Sequence, residues 1–397
     1  TGNKFNNNSG EIRSNSKIDI NVKDTSNIKG YILSDGLTKE EAKQEEESKK
    51  EDNKKANTET EKGINITGSV DNTEGLIKGR EVRIGGNLTG NAKGKVESIG
   101  ALTLDGKIID NKNGTLKGSL KKIDAEKFIN DEGKILTNEK LDIAAKEGSN
   151  VRGEIFGSEG VKVVGEKLNN LTGIIRSNGK IDINVKETIN KEGYILADGI
   201  TKEEAKKWEV KEKGPEKKED KKEESKKDEV KEQTTGVELK ADRLDNTKGI
   251  IASLGQTTLN VGKVSNVEGK IVSRGVVELT TPNEYEYEGL VEGDAVTTLN
   301  GKKITIKERM ERKNTLELIG QEGIILKDEI VSGILRLDTK ADVKNAKEIR
   351  GTDTLSVTAK NIENEGNLLS DKNLYVKVEG KLLNKGTGLI KGKENTY

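Results

Sequence analysis

The chain has 397 residues, with 45 Gly, 2 Pro, no Cys and no His; 3% of residues are aromatic and 35% charged. Lys+Arg and Asp+Glu both number 70, so no net charge recommends a nucleic-acid partner, and rings are too few to stack single strands. Without Cys or His there is no disulfide, thiolate nucleophile, Ser-His-Asp triad, or Cys or His metal site.

From the first residues an Asn-x-x-Gly signature returns about every twenty positions. It pairs Asn7 with Gly10, Asn27 with Gly30, Asn72 with Gly75, Asn91 with Gly94, Asn111 with Gly114 and Asn130 with Gly133. It continues as Asn150 with Gly153, Asn170 with Gly173, Asn190 with Gly193, Asn246 with Gly249, and Asn266 with Gly269. A fixed period near twenty is the mark of a solenoid. Within one unit, 168–185, Ile181, Ile183 and Val185 alternate with Asp182 and Asn184. Period two is a strand with one buried face. Ile18, Ile20 and Val22 repeat the alternation, as do Leu141, Ile143 and Ala145.

A unit this short buries its apolar face only by stacking on a copy of itself. The expected fold is therefore all-β: a right-handed parallel β-helix, whose crossovers take the usual hand. About seventeen coils at about 4.8 Å each predict a rod of about 80 Å. The repeated Asn and Gly are expected to be structural. Gly would take the positive φ of a tight corner, and stacked Asn side chains would form an amide ladder.

The expected organisation is coils over 1–36, 63–199 and 236–276, with charged insertions at 37–62 and 200–235. Atypical coils follow at 277–360 and regular ones at 361–397. Residues 5–43 recur nearly unchanged at 168–206, so a block of coils with its insertion has duplicated. Duplication of a surface block favours reach or valency over a unique active site. Both insertions open with a capping box, Thr38-x-x-Glu41 and Thr201-x-x-Glu204. With little apolar material beyond Ala205, Trp208, Val210 and Val230, they read as solvated spurs that add little core. The sharper alternative is a partner-binding protrusion with Trp208 as anchor. In the atypical stretch, Tyr285 and Tyr287 are the candidate contact residues.

No Gly-Lys pair is followed by Ser or Thr, so there is no Walker A loop, and the Gly-rich calcium nonapeptide is missing. No cofactor or metal is expected. A carbohydrate-cleaving β-helix is the enzymatic alternative, but sequence places no acid pair for it. No 18-residue apolar run occurs, and the start at Thr1, in mid-repeat, suggests a piece of a longer array.

The stretches LNNLTGIIRSNGKIDIN (168–184) and LDNTKGIIASLGQTTLN (244–260) resemble the repeats of filamentous-haemagglutinin-type adhesins. The resemblance covers most of 5–275 outside the insertions and, more weakly, 361–391. It implies a β-helical fibre on a Gram-negative cell surface, secreted through an outer-membrane transporter partner. It also implies attachment to host cells or other bacteria. The alternative is the stalk of a contact-dependent growth-inhibition effector that presents a distal toxin. Neither the family's secretion-signal domain nor a toxin is recognisable here, and the Lys/Glu insertions depart from its pattern.

Overall fold

The computed structural model describes residues 2–38, 62–207 and 236–397. They form a right-handed parallel β-helix of about 17 turns with almost no helix. Each regular coil is built from a short strand and a long one. Ile174–Ser177 and Lys180–Ile189 make one coil; Glu154–Gly157 and Gly160–Asn169 make the coil before it.

The long strand bends. Ile181, Ile183 and Val185 point inward at a spacing of two, then Thr188 points inward at a spacing of three. That change of phase turns the strand through a corner and divides it between two faces. With the short strand, the coil has three faces around a narrow interior.

Register follows from like stacking on like. On the short-strand face Ile135 pairs with Ile155, Ile155 with Ile175, Ile175 with Ile195, Ile195 with Ile251, and Ile251 with Ile271. All six are fully buried. Each buried isoleucine contributes roughly 1.5–3 kcal/mol, and a one-residue slip would turn the whole set out to solvent. Outward residues pair across coils by charge: Arg176 Nε lies 2.7 Å from Glu154 Oε1, and Lys180 Nζ 2.6 Å from Glu238 Oε2. Lys180 and Lys240 together hold the Glu238 carboxyl down at about 2.

The second insertion leaves between two directly paired strands, since Ile195 and Ile251 are neighbours. Its root differs from the expected solvated spur. Lys202–Lys206 is a helix with a complete capping box between Thr201 and Glu204. Its Ala205 is fully buried against the outer face of the short strands, packed on Leu196, Ile200, Ile250, Ala252 and Val272. Lys202 Nζ sits 4.5 Å over the Tyr194 ring, and Lys270 Nζ donates to Lys206 O at 3.1 Å. The reason is local. Those outward positions, Leu196, Ile250, Ala252 and Val272, are apolar in consecutive coils, and the helix covers them.

Candidate functional site

The repeated Asn corner is the candidate site, and its geometry is the same at every turn. Asn170 follows the last residue of the long strand Gly160–Asn169 and is fully buried. Its Oδ1 accepts from Asn150 Nδ2 at 2.8 Å. Its own Nδ2 donates to Asn190 Oδ1 at 2.7 Å, to Gly173 O at 3.2 Å and to Tyr194 O at 3.2 Å. The Gly173 amide closes the turn on Asn170 O at 3.1 Å. The chain of side-chain amides runs unbroken through Asn7, Asn27, Asn72, Asn91, Asn111, Asn130, Asn150, Asn170, Asn190, Asn246 and Asn266, at 2.7 or 2.8 Å per step. Every rung points the same way, amide to the next coil's oxygen. The ladder crosses both insertions without a break.

The glycine does a different job from the one expected of it. The positive φ falls one residue earlier, on Ser9, Lys29, Glu74, Lys93, Asn113, Glu132, Arg152, Thr172, Glu192, Lys248 and Glu268, all between 53° and 58°. Gly173 is required because the coils approach too closely for a side chain. A methyl group there would overlap the carbonyl oxygen of Asn150 and lie 2.6 Å from Asn170 Oδ1. The strain thus sits on ordinary residues, and worst on a β-branched one, Thr172 at φ 54°. Thr172→Gly is therefore expected to stabilise the fold by about 1 kcal/mol. An unchanged or lower thermal midpoint would show that the corner is not strained.

Beyond Asn266 the ladder ends on backbone, with Nδ2 donating to Glu288 O at 3.0 Å and Leu290 O at 3.3 Å. A second ladder joins Asn345, Asn364 and Asn384, each step 2.7 Å. The Asn-x-x-Gly rule misses it because the glycine spacing changes. The 19- and 20-residue spacing of the asparagines alone carries the signal.

Tyr285 and Tyr287 are not a contact surface, contrary to expectation. They are 4% and 3% exposed and face the interior. Both rings join the core cluster, where burying them is worth more than displaying them. Burial pushes both phenols above their ordinary range. Arg312, which the sequence did not single out, is buried beside Tyr287 and donates from Nη2 to its Oη at 2.8 Å. Trp208 and the remainder of the second insertion lie outside the described residues, as does most of the first.

At the base of the second insertion, Asp198 holds the coil together. Its Oδ1 accepts from the Gly236 amide at 3.0 Å, and its Oδ2 from the Leu254 and Gly255 amides at 3.0 and 2.9 Å. A surface cleft of about 690 Å³ is lined by Thr103, Asp105, Ser119, Lys121, Lys122 and Asp124, among others. Its carboxylates already have partners: Asp105 has Arg83 and Asp124 has Lys122, each at 2.8 Å. Among the described residues, no group of three or more acidic side chains is placed to hold a metal. No helix among them is long and apolar enough to cross a membrane.

The buried Asn corner, stacked coil on coil, coincides with a known repeat. The family model described as haemagglutinin repeat matches residues 1–44, 65–145, 121–184, 140–206, 234–281 and 330–393. This chain belongs to the haemagglutinin repeat family. Compared with the curated proteins and with the solved structures, it matches none of them. The haemagglutinin repeat matches skip 45–64 and 207–233, the greater part of the two insertions, and also 282–329, the stretch that holds Tyr285, Tyr287 and Arg312.

Proposed function

We propose that this chain is a structural fibre segment of a secreted bacterial adhesin. It stands on the cell surface, attaches to host cells or other bacteria, and has no enzymatic role. It leaves the cell through an outer-membrane transporter partner. The observation that carries this reading is the haemagglutinin repeat match over most of a continuous solenoid. Each coil contacts only its neighbours, so length is added without changing the fold. The duplicated block repeats one outer surface, which suits multivalent contact. Parallel strands stacked in this way form without disulfides, as a chain with no Cys requires.

Beads coated with the purified chain test the reading. They are expected to be retained on epithelial monolayers or bacterial lawns well above albumin-coated beads, and soluble chain should compete the retention away. Retention at the albumin level on every surface would overturn the adhesive role.

A further inference from the structure

Two of the three faces of the rod are interrupted, both between residues 265 and 310. On the short-strand face, pairing is continuous from Glu11–Arg13 to Leu290–Gly293. It resumes with Met310–Glu311, which pairs forward with Ile330–Thr339. Among the described residues, no strand pairing joins Leu290–Gly293 to Met310–Glu311. On the next face, the second half of Gln256–Ser265 has no paired successor among the described residues. A separate six-stranded sheet begins there with Glu284–Glu286. Only the third face is continuous. It runs from Gln256–Ser265 through Val276–Thr280 and Val296–Gly301 to Thr315–Gly320.

The interior at this place also lacks the ladder's bonds. The long Asn ladder has ended at Asn266 and the second has not begun. Arg312 is 7% exposed, and its nearest carboxylate, Glu292, is 3.9 Å away. Arg312 Nε and the hydroxyl of Tyr285 are buried without a hydrogen-bond partner among the described residues. Buried polar groups left unpaired cost stability, and missing ladder bonds remove what would offset it. Local stability follows the density of paired backbone and packed apolar contacts.

We propose that residues 276–301 form a built-in joint between two stacks, one held by the ladder from Asn7 to Asn266 and the other by the ladder from Asn345 to Asn384. The joint opens before either stack does. A fibre carrying load would yield there and keep its coils folded on both sides. This holds whatever surface the fibre binds. The coincidence with the stretch that the haemagglutinin repeat skips fits a joint made of non-repeat coils.

Hydrogen exchange on the whole chain under native conditions tests the proposal. Strand amides in 276–301 should exchange at least ten-fold faster than those in Gly160–Asn169 and Lys180–Ile189. Arg312→Ser, made together with Tyr287→Phe so that no buried hydroxyl is left without its donor, should slow exchange in 276–301 several-fold and leave 160–189 unchanged, because serine holds the matching corner in neighbouring coils, as at Ser273 and Ser332. Equal protection across the two regions of the unmodified chain would overturn the joint, even if the variant failed to fold. A double variant that folds but leaves the fast exchange untouched would overturn the role given to the buried guanidinium.

Discussion

Asn170→Asp is expected to lower the thermal midpoint sharply and to open the coils on both sides of residue 170. The change keeps shape and volume and replaces one NH2 with oxygen. Asn170 Nδ2 has three acceptors around it, the oxygens of Asn190, Gly173 and Tyr194. A carboxylate would face all three with no proton to give. Each unsatisfied buried partner costs about 1–3 kcal/mol, so the total at neutral pH should reach about 3–6 kcal/mol. Burial raises the folded-state pKa of the introduced carboxyl above the unfolded value of about 3.9. The charge penalty is therefore full above the folded pKa and shrinks as pH falls through it. It is gone below the unfolded value, where one proton can again bridge to Asn190. Chemical denaturation at two pH values measures this. A variant equally unstable at pH 4 and pH 7 would mean the ladder is not the source of the loss. Asn184→Asp, at an exposed position of the next strand, is the control and should be nearly silent.

Ile183→Asp should be comparably destructive, and Asp182→Ala almost without effect. Ile183 is fully buried between Val163 and Leu239 in the neighbouring coils. The substitution removes about 1.5–3 kcal/mol of burial and places an unpaired charge among apolar neighbours, for a loss of several kcal/mol. Asp182 is one residue away and faces outward. Denaturant midpoints of the two variants compare them directly. Similar losses would mean that the register is off by one residue, because a slip of one exchanges the two faces.

The features legible in the sequence were the local and repeated ones. Alternation at Ile181, Ile183 and Val185 marked the inward face, because a strand has no other way to sort its side chains. Asn170 and its ten counterparts marked one corner per coil, because a stack forces each coil to repeat its neighbour. The haemagglutinin repeat could be recognised on the same grounds. Features that depend on a single contact were misread. Tyr285 and Tyr287 read as contact residues of an atypical stretch; only the packed core shows that they face inward. Ala205 looked like one apolar residue in a charged spur. Its importance comes from Ile250, Ala252 and Val272, which lie 45 or more residues further along the chain.

The sequence by itself determined the fold class, the period and the inward face, because these follow from neighbours two, three and twenty residues apart. The tertiary structure decided what each repeated position does. Gly173 could be read as a turn former; the packed coils show that it is there because Asn150 O leaves no room for a methyl group, while Thr172 carries the positive φ. The sequence marks the coils from 277 as atypical, but it does not show the break in pairing between Gln256–Ser265 and Glu284–Glu286. Strand-like alternation continues through it, and pairing between coils is a property of two strands rather than of either alone.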